Sequence, residues 1–136
     1  MSALFSVKII TPEKTFFDGE TQMLIVRSSD GELGIMANHI SLVTNLPSSP
    51  LRLQNEDGTW HTASLSQGLL KVGNNSATVL ADAVEWAEDI DFAWAKRSEE
   101  DARTRLKNHT RGEYEYELAE MKLRRSLNRQ FVAKQM

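Results

Sequence analysis

Three histidines, His39, His61 and His109, are the side chains of this chain best suited to proton transfer or metal binding. They fall in three separate segments without metal-ligand spacing, so each reads as a surface or hydrogen-bonded histidine, and no metal site is expected. The 136 residues include no cysteine, which excludes disulfides, thiol catalysis and thiolate metal centres and fits a reducing compartment. No phosphate loop of the G-x-x-x-x-G-K-[ST] type is present, and no G-x-G-x-x-G follows a strand. Asp89 and Asp91 have the spacing of paired carboxylates, but they stand where the apolar period turns helical, and capping accounts for them. What remains is electrostatic. The last sixteen residues hold five bases (Lys122, Arg124, Arg125, Arg129 and Lys134) and no acid. A solvated helix face usually mixes signs, so this stretch points to an acidic partner rather than to catalysis. The chain is expected not to be an enzyme.

The element carrying these bases lies beyond a change of regime between Trp86 and Asp91. Before it, apolar and polar residues alternate between Gly, Asn and Pro turns; after it there is no proline and one glycine, Gly112. Phe5, Val7 and Ile9 alternate with Ser6 and Lys8 as in a half-buried strand that Thr11-Pro12 ends. Lys14–Phe17 is expected to form a second strand closed by Asp18-Gly19. Thr21–Val26 follows as a strand covered on both faces. After the Ser29-Asp30-Gly31 turn, Glu32–Met36 extends again. Leu51–Leu53 and Trp60–Ala63 flank Asn55-Glu56-Asp57-Gly58 as a hairpin, and Leu69–Val72 and Ala77–Ala81 flank Gly73-Asn74-Asn75 as another. Many short strands at this spacing indicate an antiparallel sandwich or barrel.

Beyond Trp86, Asp89 or Asp91 is placed to cap a first helix whose narrow seam is Ala95, Ala102 and Leu106. The chain is expected to turn near Thr110–Gly112. A second helix, begun by Glu113, Glu115 and Glu117, carries the stripe Tyr116, Ala119, Leu123, Leu127 and Phe131. The two helices form an antiparallel hairpin whose thin, alanine-rich seam implies marginal stability and the capacity to unpack. The expected domains are a β-sandwich over 1–86 and a helical hairpin over 87–136. The first 86 residues hold nine acids and five bases, so the two halves also differ in charge.

The net charge of −3 argues against bulk attraction to nucleic acid. A small β-barrel nucleic-acid module with a basic helical tail is the alternative reading. Against it, the strands carry no interleaved basic and aromatic residues for base stacking. No run approaches the ~18 apolar residues of a membrane span, and MSALFSVKII lacks a charged n-region, so no membrane insertion, signal or transit peptide is expected.

Three segments in order carry a resemblance. GELGIMANH over Gly31–His39, followed by Ser41-Leu42, resembles the signature loop of the epsilon subunit family of F-type ATP synthases. Gly68-Leu69-Leu70-Lys71-Val72, Asn75 and Thr78–Asp82 resemble the closing strands of that family's sandwich. Asp89-Ile90-Asp91 with Ala95, and Leu123–Arg129, match its hairpin; the resemblance covers about Val7 to Val132. It implies about ten strands, followed by the two helices, in a rotor subunit of the central stalk of a proton- or sodium-translocating synthase. The implied partners are the gamma subunit, the ring of c subunits and, when the hairpin extends, the alpha/beta catalytic head. Glu32 and His39 match the segment placed at the c ring and stalk foot. Lys122, Arg124, Arg125 and Arg129 match the helix that blocks ATP hydrolysis by contacting an acidic loop of the beta subunit. The implied location is the cytoplasmic face of the bacterial plasma membrane, or the stromal side of a plastid thylakoid.

Some members hold ATP in the folded hairpin through an Ile/Leu-Asp-x-x-Arg-Ala motif and two arginines of the second helix. Ile90, Asp91 and Ala95 match, Arg125 and Arg129 stand one turn apart, and Glu85 fits the pattern. The motif arginine is Trp94, whose indole offers one neutral donor in place of a guanidinium fork. The chain is therefore expected to need no cofactor and to bind ATP weakly or not at all.

Overall fold

A computed structural model describes residues 3–134; the outermost ends of the two expected domains, residues 1, 2, 135 and 136, lie outside the described residues. Nine strands are followed by a short 3-10 turn and two α-helices. The strands are β1 (Phe5–Ile10), β2 (Thr15–Ser28), β3 (Gly31–Ile35), β4 (Leu42–Leu46), β5 (Ser49–Asn55), β6 (Trp60–Leu65), β7 (Gly68–Gly73), β8 (Ser76–Ala81) and β9 (Val84–Trp86). They form one folded-over sheet in the order β4-β7-β8-β1-β2-β5-β6-β9, with β3 branching from β2. The structure thus describes nine strands where about ten were expected, and β1 pairs with β8 in parallel while every other pairing is antiparallel. No hairpin joins β1 to β8, so no tight turn forces them to run in opposite directions.

The two-layer wrap depends on β2. Residues 15–21 pair with β1, and residues 21–28 pair with β5 and β3. Asp18-Gly19 does not end a strand here. Gly19 stays in the ladder opposite Val7, and the Phe17 ring covers it. A register shift between Thr21 and Met23 marks where β2 passes from one layer to the other. Between the layers lie Phe5, Val7, Ile9, Leu24, Val26, Ile35, Leu51, Leu53, Leu65, Leu70 and Val79. The alternation Leu24, Val26 inward leaves Met23 and Ile25 half-buried on the outer face, so β2 is fully covered on one face only. Trp86 closes the sandwich edge, its ring 4.6 Å from Phe16 and 6.2 Å from Phe17.

Helix α1 (Phe92–Asn108) starts at Asp91, whose Oδ1 accepts the Trp94 N–H at 3.0 Å; of the two candidate caps, Asp91 serves. Gly112, at φ 97°, turns the chain into α2 (Tyr114–Ala133). Ala95, Ala102 and Ala119 are buried between the helices, where their small side chains allow close approach. The expected stripe on α2 is only partly realised. Leu127 and Phe131 are 40% and 49% exposed, while Ser126, Asn128, Gln130 and Val132 are buried instead. The reason is that α2 is clasped on two sides, by α1 and by the sheet at β5 and β6. The faces turned to those neighbours carry small and amide side chains, and the apolar ridge is left outside.

Candidate functional site

Four of the five bases of this stretch, Lys122, Arg124, Arg125 and Arg129, lie in the docked half of α2, and each of these four cations has a carboxylate partner. Lys122 Nζ donates to Asp101 Oδ2 of α1 at 2.5 Å. Arg125 Nη2 stands 3.8 Å from Asp82 Oδ2, which precedes β9, and Arg129 pairs with Glu85 on β9. Arg124 pairs at 2.5 Å with Glu120, one turn earlier on its own helix. Three of the four therefore bridge α2 to other elements. Two amides reinforce them. Asn128 Nδ2 donates to Ser64 Oγ at 3.1 Å and to the Leu65 carbonyl at 3.2 Å, and Gln130 Nε2 donates to Glu99 Oε1 at 2.9 Å.

These contacts set the carboxyl groups they touch. The Lys122 hydrogen bond holds Asp101 below the ordinary carboxylate range, with the charges of Arg105 and Lys122 adding to it. Glu99 is lowered first by the Gln130 amide and then by Arg103, whose Nε lies 2.8 Å away. At the helix–helix turn, the Thr110 N–H donates to Glu113 Oε1 at 2.5 Å and lowers that carboxyl as well.

Between α2 and the β6–β9 edge is a cleft of about 340 Å³. Glu85, Lys122, Arg125 and Arg129 line it with the hydroxyl-bearing Ser64, Ser66, Ser98 and Ser126. Ser66 Oγ and Arg125 Nε are buried there without a hydrogen-bond partner among the described residues. The structure thus brings together Glu85, Arg125 and Arg129 of the expected nucleotide set. Ile90, Asp91 and Ala95 do not line this cleft. Asp91 is occupied as the α1 cap, Ala95 is buried in the helix seam, and Ile90 is half-buried. Trp94 is 54% exposed, with the Arg97 guanidinium 5.8 Å from its ring centroid. Sequence reasoning missed Ser64, Ser66, Ser98 and Ser126, because isolated serines on a strand, a loop and two helices carry no spacing signal.

Glu32 and His39 are not neighbours in one loop. Glu32 lies on β3 opposite Arg27 of β2, and both line a groove beside Arg52 and Trp60. His39 lies at the far end of β3 in the Met36–Ser41 loop. Its N–H donates to the Met36 carbonyl at 3.2 Å, and its Nδ1 is 2.8 Å from the Ile40 carbonyl. The Asn38 N–H beside it donates to Asn75 Oδ1 at 2.8 Å, which ties this loop to the β7–β8 turn. The loop also exposes Met36 and Ile40. His61 is engaged with Asn55 at 2.7 Å, and His109 lies 3.8 Å from Glu113. Among the described residues no group of three or more His, Asp or Glu is arranged to hold a metal ion, and no helix is long and apolar enough to cross a membrane.

Two family models match, end to end. That of the ATP synthase delta/epsilon chain β-sandwich domain matches residues 4–87, and that of the delta/epsilon chain long α-helix domain matches residues 88–134. The ATP synthase epsilon chain of Caldicellulosiruptor bescii is 41% identical over 133 residues, 98% of this chain and 96% of the relative. That of Ruminococcus albus is 39% identical over 132 residues, 96% and 97% of the two. In fold, the chain is similar to one in the Euglena gracilis mitochondrial ATP synthase, with a TM-score of 0.82 at 18% identity, covering 100% of this chain and 84% of the other.

Proposed function

The chain belongs to the epsilon-chain family of ATP synthases, and from that premise we propose that it is a central-stalk subunit whose helical hairpin restrains ATP hydrolysis. The stalk role follows from the family, whose members are coupling and regulatory subunits rather than catalytic ones. The division of labour is our reading: the sandwich holds the gamma subunit and the c ring, and the hairpin regulates. The Met36–Ser41 loop, with His39 and the exposed Met36 and Ile40, is the part of the sandwich suited to the c ring. Glu32, on the outer face of β3, contributes through the neighbouring groove. Such a subunit works as a peripheral part of a membrane-bound complex, on the cytoplasmic face of a bacterial plasma membrane.

The observation that supports inhibition is the character of the α2 dock. Helix α2 is held by amides, hydroxyls and ion pairs around few buried apolar side chains, while Leu127 and Phe131 face outward. Polar docking of this kind adds little net stability, because each contact replaces one with water. The helix is therefore releasable, and once extended it presents Lys122, Arg124, Arg125 and Arg129 beside an apolar ridge to an acidic groove of the alpha/beta head. Nucleotide binding by the docked hairpin is weak on this reading, because Asp91 is used as a cap and Trp94 stands where a phosphate contact would need a guanidinium.

Removing Gly112–Met136 should raise ATP hydrolysis by the assembled complex while leaving assembly intact. Reversing Arg124, Arg125 and Arg129 to Glu should act in the same direction. Unchanged hydrolysis in both variants would refute the inhibitory role.

A further inference from the structure

The cations read as the inhibitory contact are not free in the docked hairpin. Arg125 faces Asp82, Arg129 faces Glu85, and Lys122 faces Asp101. These acids come from three places outside α2: the β8–β9 connection, β9 and α1. Asp82 is itself oriented, since Gln67 Nε2 donates to its Oδ2 at 2.8 Å. Only the Arg124–Glu120 pair is internal to α2 and survives if the helix leaves.

We propose that Asp82, Glu85 and Asp101 form an internal acidic surface that imitates the external target of α2, so that docking and inhibition compete for the same three cations. This rests on the reading of α2 as a releasable inhibitory helix. The physical consequence is an exchange rather than a gain. A cation that leaves one carboxylate for another changes its free energy little, so the docked and extended states stay near balance and are open to bias. The same helix with unpaired cations would be drawn to the target whatever the state of the complex. The Lys122–Asp101 contact crosses the helix seam at 2.5 Å, and this hydrogen bond holds the Asp101 carboxyl below its ordinary range.

The side chains of Asp82, Glu85 and Asp101 are half-buried to exposed, so removing their charge spares the core. Asp82→Asn with Glu85→Gln should lower the docked population of the full chain about three- to tenfold, read as faster amide hydrogen exchange along α2. Glu120→Gln removes a carboxylate of the same helix without crossing to another element and should leave that exchange unchanged. The charge swap Glu85→Arg with Arg129→Glu should return protection toward the original value. In the assembled complex, the Asp82→Asn, Glu85→Gln chain should hydrolyse ATP more slowly, the opposite of the Arg→Glu variants. Unchanged α2 exchange, or equal loosening by Glu120→Gln, would overturn the proposal. Faster exchange with unaltered hydrolysis would leave the internal surface standing and overturn the inhibitory reading instead.

Discussion

Replacing Asn128 by Ala should release α2 from the sandwich, while replacing its neighbour Leu127 should hardly matter. Asn128 is 9% exposed, and its amide makes two hydrogen bonds to β6, at 3.1 Å to Ser64 Oγ and 3.2 Å to the Leu65 carbonyl. A neutral buried bond contributes on the order of 0.5–1.5 kcal/mol net, so the pair is worth about 1–3 kcal/mol. Alanine's better helix propensity returns roughly 0.5 kcal/mol of that. The docked state should therefore lose about 1.5 kcal/mol, roughly tenfold in population. Leu127 is 40% exposed, and truncating a side chain that still meets water costs about 1 kcal/mol or less. Amide hydrogen exchange along α2, with the β1–β2 ladder as internal reference, separates local release from global destabilisation. If Leu127→Ala loosens α2 as much as Asn128→Ala, the helix is packed by its apolar stripe and the polar account of docking is wrong.

Gly68→Ala should lower the melting midpoint by roughly 5–15 °C, because its Cβ would stand 2.2 Å from the Leu80 carbonyl oxygen; Gly34→Ala, which meets open space, should not. Asp101 and Glu99 have folded-state values below their ordinary 3.8 and 4.5, so their contribution is present above that range and lost as pH falls through the folded values. An acid titration of α2 protection should show this loss below about pH 4.5, and Asp101→Asn should flatten it. Calorimetric titration with ATP should give weak or no binding, and Trp94→Arg should tighten it about ten- to a hundredfold; a low-micromolar constant for the unaltered chain would refute this.

Local chemistry made much of this architecture legible in the amino-acid order. Alternation in Phe5–Ile9, the Asn55–Gly58 and Gly73–Asn75 turns, a helix cap at Asp89 or Asp91 and the turn near Thr110–Gly112 each rest on a few consecutive residues, and the structure keeps them, with Asp91 as the cap. The basic stretch of α2 and the thin alanine seam were equally plain, because both are facts of composition on one helix. Where β2 goes was not. Asp18-Gly19 has the composition of a turn, and only the strand lying against it, with Val7 opposite Gly19 and Phe17 folded over the gap, keeps it extended. Which face of α2 is buried was likewise decided by its neighbours. An apolar stripe marks the inward side of a helix with one neighbour, but α2 has two, α1 and the sheet, and the close approach of both selects Ala119, Ser126 and Asn128 over Leu127 and Phe131. The acids of other elements that meet three of its cations lie about twenty to forty-five residues away in sequence, so no periodicity could pair Arg129 with Glu85 or Lys122 with Asp101. Charge sign was written in the chain, whereas charge partnership needed the fold, because an ion pair depends on distance in space and sequence order fixes that only within a few residues.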